Sequence, residues 1–277
     1  YFLGASHGFN TVHGRMPSVL TGANLANREL LYLGVSGDGD SASIGIGQFI
    51  HAIRRGVRMV YIVENNGVYG LTKGQFSATA DRGSRAKRGA VNPDSPVDLV
   101  TLALQLGATY VARGFSGDKG QLVPLIEGAI RHGGSAFIDV VSPCVAFNNH
   151  DGSTKSYDHV RAHNAAVNRV DFIDLAKPVI VEPSAGAVLE LPQADGSRLR
   201  LRKLREDFDP TDRIGAMNRL QRHQARGELL TGLLYVDVHA KDMHDALHTS
   251  ARPLNTLTEA ELCPGPATLA KINDALR

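Results

Sequence analysis

Two apolar runs in this chain each end in hard oxygen donors. Leu30-Leu31-Tyr32-Leu33-Gly34-Val35 leads into Gly37-Asp38-Gly39-Asp40, and Met59-Val60-Tyr61-Ile62-Val63 leads into Asn65-Asn66-Gly67-Val68-Tyr69-Gly70. Between them Ile44, Ile46, Phe49, Ile50 and Ile53 recur at helical spacing. Strand, helix and strand in that order make a parallel crossover, and the continuous apolar runs are typical of strands buried on both faces. The crossover sets the two strand ends side by side. Asp38 then offers a carboxylate, Asn66 an amide oxygen and Val68 its backbone carbonyl. Magnesium takes such a set, a few protein oxygens in octahedral geometry with the other positions left to phosphate and water. The glycines let backbone approach a phosphate, and the helix expected after Gly45 points its positive end at the same place. A lone Gly-Asp-Gly is only a strand-to-helix turn. Paired with Asn65-Asn66 at crossover spacing, it marks a site.

The same alternation continues. Pro96-Val97-Asp98 opens an apolar-periodic helix through residue 106, residues 109–112 read as a strand, 119–132 as a helix and 136–141 as a strand. The expected fold class is α/β, a doubly wound and mostly parallel sheet. Ligands of such sheets sit beyond the carboxyl ends of the strands, where both oxygen-bearing segments lie. Residues 144–164, rich in Asn, His, Asp, Gly and Ser, read as an irregular excursion. We assign residues 1–165 to a ligand-binding domain and 166–277 to a smaller α+β extension that makes subunit contacts. In the extension, residues 179–181, 187–190 and 199–201 suggest a hairpin around the Asp195-Gly196-Ser197 turn. Asp209-Pro210-Thr211-Asp212 reads as a helix entrance, with Ile214, Met217 and Leu220 following at helical spacing. Residues 232–237 read as a strand, and 264–277 hold a short amphipathic helix.

Composition narrows the function classes. With 43% hydrophobic residues in 277, a core is easily built and disorder is excluded. A net charge of +2 favours neither nucleic acid nor an anionic membrane as main partner. The apolar runs are strand-length, so no membrane span is expected. Two cysteines, Cys144 and Cys263, make no disulfide framework, and a cytoplasmic location fits best. Tyr1 is not an initiator methionine, and the segment through Phe9 reads as the middle of a domain. A native N-terminal portion is therefore expected upstream.

The Gly-Asp-Gly and Asn-Asn pair resembles the thiamine diphosphate fingerprint. In wider view the chain resembles the β subunit of the 2-oxoacid:ferredoxin oxidoreductases. That resemblance rests on His13-Gly14-Arg15, Gly37-Asp38-Gly39-Asp40, His51-Ala52-Ile53-Arg54-Arg55, the stretch from Asn66 through Tyr69-Gly70-Leu71-Thr72-Lys73-Gly74-Gln75, and Ser142-Pro143-Cys144. Asp209-Pro210-Thr211-Asp212-Arg213 and the strand at 231–236 are similar to the bacterial 2-oxoglutarate:ferredoxin branch (2-oxoglutarate synthase). The resemblance implies a thiamine diphosphate enzyme that oxidatively decarboxylates a 2-oxoacid, 2-oxoglutarate by this branch, to an acyl-coenzyme A. Ferredoxin would be the electron acceptor, and an α subunit the partner in a heterodimer.

It also implies roles. Asp38, Asn66 and the Val68 carbonyl would hold magnesium. His13 would reach the diphosphate, with Gly39, Asp40, Gly70 and Leu71 lining the diphosphate and the thiazolium ring. Leu71 and Lys73 would stand nearest the chemistry, and Cys144 would be one ligand of a [4Fe-4S] cluster. Such a cluster takes four thiolates, and the other three are not in this sequence. Each residue has a plainer reading beside this one: His13 as a solvated loop histidine, Lys73 as a solvated loop lysine, Cys144 as a small buried thiol. Arg82, Arg85, Lys87 and Arg88 form a basic run that is either a solvated face or a landing place for coenzyme A phosphates or an acidic ferredoxin. Neither Glu29 nor Glu64 falls where it would serve the aminopyrimidine, a role the family gives to the partner subunit. Two rival readings remain: a thiamine diphosphate-dependent decarboxylase or synthase without redox steps, and a cofactor-free assembly subunit.

Overall fold

In the computed structural model, which describes residues 4–173, 188–193, 195–203, 208–263 and 265–277, the two apolar runs do pair in parallel. Helix α1 (Met16–Ala26) precedes strand β1 (Leu33–Gly37), and a π-helical turn, Asp40–Ile44, leads into α2 (Ile46–Arg54) and then β2 (Met59–Asn65). Gly37 sits opposite Glu64, so Asp38 and Asn66 leave adjacent strands at one edge. Helical geometry thus begins at Asp38, directly after β1, rather than after Gly45. π turns of this kind occur often at functional sites.

The chain then makes a small hairpin, β3 (Val68–Tyr69) against β4 (Gln75–Phe76), before α3 (Leu99–Leu106), β5 (Tyr110–Phe115), α4 (Lys119–His132) and β6 (Ser135–Val141). Asp98 and Asp118 cap α3 and α4 by accepting from Val100 and Gln121 amides, which is why both helices start where the sequence expects. The stretch expected to be irregular contains a helix, α5 (Tyr157–His163), capped by Ser156. Strands β7 (Asn164–Ala166), β8 (Asn168–Ile173), β9 (Val188–Pro192) and β10 (Arg198–Lys203) follow, then α6 (Arg213–Ala225), β11 (Leu229–Val236), α7 (Met243–Leu247), α8 (Glu259–Leu262) and α9 (Pro266–Ala275).

The main sheet has the order β1-β2-β6-β5-β11-β7, parallel except for β11 against β5. Strand β11, from the stretch assigned to the extension, is therefore hydrogen-bonded into the sheet of the first stretch. A second sheet, β8-β10-β9, includes the expected hairpin around Asp195-Gly196-Ser197, while residues 179–181 lie outside those described. Both faces of the main sheet are covered. Met59, Tyr61, Val63, Val111 and Phe137 pack under α1, α2, α3 and α6. Val60, Ile62, Tyr110, Ala136 and Ile138 meet α4 and the smaller sheet. The fold is the expected mostly parallel α/β sheet. One expectation fails locally: β1 is an edge strand, and Leu33 and Val35 stand 41% and 51% exposed instead of buried. An apolar run does not say whether both faces will be covered.

Candidate active site

Asp38 is the centre of the site. It is 1% exposed, yet among the described residues no cationic side chain pairs with it. Its Oδ2 accepts from the Gly67 amide at 3.0 Å, from Thr79 Oγ1 at 2.5 Å and from the Ser77 hydroxyl. Its Oδ1 has only a long contact, 3.4 Å, from the Asn66 amide. One oxygen is saturated by donors, and the other is not. A buried carboxylate without a countercharge is costly, and a bound cation is the ordinary remedy. The Asn66 side-chain oxygen accepts from the Val68 amide at 3.0 Å, which uses one of its two lone pairs. Asp38, Asn66 and Val68 are thus gathered within two hydrogen bonds of one another. Their donor set, carboxylate, amide and carbonyl oxygen, fits magnesium.

Asp40 lies two residues on and serves a separate network. Its Oδ1 accepts from the Gly14 amide at 2.8 Å and lies 2.7 Å from His13 Nδ1, while Ser36 donates to Oδ2 at 2.5 Å. His13 is 75% exposed, so its Nε2 faces outward from a ring fixed by Asp40. Gly14 makes this junction possible. Its φ is +74°, and a Cβ there would come within 2.9 Å of the Gly45 backbone. Gly39 has an ordinary helical backbone, but a Cβ there would fall 2.4 Å from the Tyr69 ring, which would have to move.

Around these residues the sequence reading was incomplete. Behind Asp38 a polar floor runs across the sheet. Thr79 Oγ1 is 3.0 Å from Asn65 Oδ1, Asn65 Nδ2 donates to Asp139 at 3.0 Å, and Arg113 joins Asp139 at 2.8 Å to Asp98 at 2.5 Å. Burial works against the Arg113 charge, but Asp98 and Asp139 outweigh it and hold its pKa above the ordinary value. Burial likewise opposes the Asp98 carboxylate, and Arg113 with Thr101 and the Val100 amide keeps its pKa low. A cavity of about 480 Å³ opens beside this floor, with Asn65, Thr79, Asp98, Arg113, Asp139 and Lys155 in its wall but neither Asp38 nor Asn66. These two fingerprint residues lie outside that wall, at the carboxyl edge just beyond the ends of β1 and β2.

The other expected residues occupy that edge differently. Gly70 lies against Cys144, whose Sγ would be 3.9 Å from a Cβ on Gly70. The Cys144 turn is pinned to the magnesium-type ligands, since Asn148 Nδ2 donates to the Asn66 carbonyl at 2.7 Å and the Asn148 amide to the Cys144 carbonyl at 2.8 Å. Leu71, 90% exposed, and Lys73 ride on the β3–β4 turn, and neither is hydrogen-bonded to the Asp38 group. Lys73 holds a left-handed backbone, φ +78°. In the basic run, Lys87 Nζ reaches the Ala146 carbonyl at 3.4 Å, and Arg82 lies in the wall of the cavity. Ser77, Thr79, Asn65 and Asn148 carry no periodic signal. Only the nearness of Ser77-Ala78-Thr79 to the preceding motif pointed toward them.

Comparison with known proteins agrees with this geometry. The family described as thiamine pyrophosphate enzyme, C-terminal TPP binding domain, matches residues 2–140. A 2-oxoacid:ferredoxin oxidoreductase subunit beta from Sulfolobus is 41% identical over 177 residues, 64% of this chain and 56% of the relative. The 2-oxoglutarate oxidoreductase subunit KorB of Mycobacterium tuberculosis is 37% identical over 65% of this chain and 47% of its own. The chain thus spans about half the length of these two relatives. The 2-oxoglutarate synthase subunit KorB of Methanocaldococcus jannaschii is 33% identical over 62% of this chain and 72% of its own. Among solved structures, the 2-oxoglutarate:ferredoxin oxidoreductase of Magnetococcus marinus, with 2-oxoglutarate, coenzyme A and succinyl-CoA bound, superposes with a TM-score of 0.64. It is 29% identical over 98% of this chain and 71% of that one. No helix among the described residues is long and apolar enough to cross a membrane. The family match over residues 2–140 and these relatives, in a chain that sets a buried carboxylate at the carboxyl edge of a parallel sheet, assign the protein to the thiamine pyrophosphate enzymes and, within them, to the β subunits of the 2-oxoacid:ferredoxin oxidoreductases.

Proposed function

We propose that this chain is the β-subunit part of a cytoplasmic enzyme that oxidatively decarboxylates 2-oxoglutarate. In the overall reaction the 2-oxoacid, coenzyme A and two oxidised ferredoxins give the acyl-coenzyme A, carbon dioxide, two reduced ferredoxins and a proton. The observation that carries the reading is Asp38, buried without a countercharge beside Asn66 and Val68. A subunit kept only for assembly has no use for such a group, since an uncompensated buried charge destabilises the fold. Preference for 2-oxoglutarate over other 2-oxoacids is supported by the names of several relatives and by the ligands of the Magnetococcus enzyme.

In this reading Asp38 Oδ1, Asn66 Oδ1 and the Val68 carbonyl hold magnesium, which in turn anchors the diphosphate. Thiamine diphosphate, when bound, supplies the carbon nucleophile and the electron sink for decarboxylation. His13, oriented by Asp40, presents Nε2 to the diphosphate. Gly39 and Gly70 give the cofactor close approach to backbone, and Leu71 shields the ring from water. Lys73 meets the substrate carboxylate as a point charge. The open edge, with Leu33, Val35 and Leu71 exposed, is where an α subunit would complete the site. Cys144 by itself cannot hold a [4Fe-4S] cluster. In this reading it would be one ligand, with the other three thiolates outside this sequence.

The test uses the full-length protein co-produced with its α partner. Ferredoxin reduction should require coenzyme A and be faster with 2-oxoglutarate than with pyruvate or branched-chain 2-oxoacids. A preference for pyruvate would refute the substrate and keep the reaction; no 2-oxoacid-dependent reduction would refute both. Anaerobic iron and sulfide analysis of the same preparation should give four irons at the Cys144 cluster, and Cys144→Ser should lower that content while sparing thiamine diphosphate binding.

A further inference from the structure

We propose that Ser77 and Thr79 are positioning residues for the metal, fixing which oxygen of Asp38 faces the cation. This rests on the magnesium and thiamine diphosphate reading above and extends it to residues outside the fingerprint. The asymmetry of Asp38 is the starting point. Oδ2 collects three donors, the Gly67 amide and the two hydroxyls, while Oδ1 has one contact at 3.4 Å. A carboxylate on a short side chain rotates about its last bond, so an oxygen is aimed only if the other is tethered. The Gly67 amide supplies one tether at 3.0 Å, and the two hydroxyls close the remaining directions.

Both hydroxyls are themselves held. Ser77 and Thr79 are 6% and 2% exposed, and their oxygens lie 3.0 Å apart. Thr79 Oγ1 also lies 3.0 Å from Asn65 Oδ1. The Asn65 amide cannot turn over, because its Nδ2 donates to Asp139, which Arg113 fixes in place. The Thr79 proton goes to the charged acceptor at 2.5 Å, since hydrogen bonds to ionised groups are the stronger ones. Thr79 then has no proton left for Asn65 Oδ1, and backbone bonds hold the segment instead: the Ser77 amide donates to the Gly67 carbonyl at 3.0 Å and the Ala80 amide to the Ser77 carbonyl at 3.1 Å, and from there Thr79 holds Asp38. A single-donor arrangement would leave the metal ligand free to swing.

Two physical effects oppose each other here, and they make the proposal decidable. Hydrogen-bond donors on a carboxylate withdraw charge and weaken it as a ligand. They also order it before the metal arrives, which lowers the entropic cost of binding. Positioning predicts that removing a donor weakens magnesium binding; charge withdrawal alone predicts that it strengthens it.

The experiment is a calorimetric titration of magnesium at fixed thiamine diphosphate on the complete α/β protein. In Thr79→Val the magnesium concentration for half-saturation should rise about tenfold, the scale of one lost bond to a charged group. Thr79→Ser should restore it to within about twofold, and Ser77→Ala should give a similar rise. At saturating magnesium, thiamine diphosphate affinity should return to the wild-type value in each variant, which a general structural defect would not allow. Unchanged or tighter magnesium binding in Thr79→Val, or failure of Thr79→Ser to rescue, overturns the proposal. If Thr79→Val does not fold, Ser77→Ala decides in the same way. A wild-type protein that binds no thiamine diphosphate with magnesium refutes the parent reading instead, so the two failures are told apart.

Discussion

Asp38 and Asp139 are both 1% exposed and lie at opposite ends of one row of polar contacts through Thr79 and Asn65, yet the protein treats them differently. Asp139 has its countercharge built in, because Arg113 lies 2.8 Å away and is itself shared with Asp98. Among the described residues, Asp38 has four hydrogen-bond donors and no cationic partner. The closed end is architecture: it ties β5 and β6 to the start of α3. The open end is where we propose the metal site, since no cationic side chain among the described residues pairs with Asp38. Burial alone does not separate these cases, and the presence or absence of a fixed cation does.

The largest effect that would break the comparison is at the open end. Asp38→Asn keeps the shape and removes the charge, so magnesium-dependent thiamine diphosphate binding should vanish in calorimetry. Thermal stability should hold or rise, since an uncompensated buried charge is removed. A variant that binds the cofactor like wild type would show that Asp38 is architectural as well. At the closed end the signs reverse. Arg113→Met strands buried Asp139 and half-buried Asp98 and should cost about 3–5 kcal/mol of stability. For a chain of this size that is a fall of roughly 10 °C in melting temperature. A loss below about 1 kcal/mol would mean that water enters the floor and screens Asp98 and Asp139.

How much of this was written in the sequence divides along the same line. Asp38, Asn66 and Val68 were legible because a crossover of fixed length must bring their strand ends together, and helix α3 because apolar residues recur at helical spacing after Pro96-Val97-Asp98; the Asp98 and Asp118 caps that start α3 and α4 came from the structure. The floor was not legible. Arg113, Asp139 and Asn65 sit inside strands whose apolar neighbours dominate the pattern, and only the sheet order β2-β6-β5 brings them into line. Strand β11 escaped for a related reason: sequence shows that a strand exists but not which sheet takes it. Helix α1 has a proline in its first turn and no side-chain cap to announce it, and the exposure of β1 depends on what lies beside the sheet edge.

A third treatment of a buried titratable group sharpens the contrast. His132 on α4 is 5% exposed, 2.8 Å from Thr109 Oγ1 and packed beside the Tyr110 ring. Burial pushes its pKa down to about 4, with Asp237 pulling weakly the other way. It needs no countercharge because it stays neutral. In the unfolded chain it takes a proton near pH 6.5, so the unfolded state binds more protons between about pH 6.5 and 4. Its contribution is present above that window and lost as pH falls through it. Relative to pH 8, stability at pH 5 should drop by about 2 kcal/mol from this residue. Urea unfolding of wild type and His132→Gln at both pH values isolates the effect. Equal pH dependence in the two proteins would show that His132 is hydrated or already charged in the fold.

The smallest effect lies at the lip of the open end, where Lys73 is exposed and carries a left-handed backbone, φ +78°. That conformation costs an ordinary side chain about 1 kcal/mol, and Asn tolerates it better than Lys. Lys73→Asn should therefore leave stability within about 0.5 kcal/mol of wild type or slightly above it, because no charge partner is lost and the turn is kept. If Lys73 meets the substrate carboxylate, the same variant should raise KM for the 2-oxoacid about tenfold, the scale of one exposed charge-assisted contact, with kcat little changed. Lys73→Arg should recover only part of it, since a planar fork is a poor substitute for a compact point charge. The two readouts separate the explanations for the strained turn. A variant that is more stable and equally active would mean that the lysine serves only solubility; one that is more stable and weaker in substrate binding would mean that the strain persists because the charge is needed at that place.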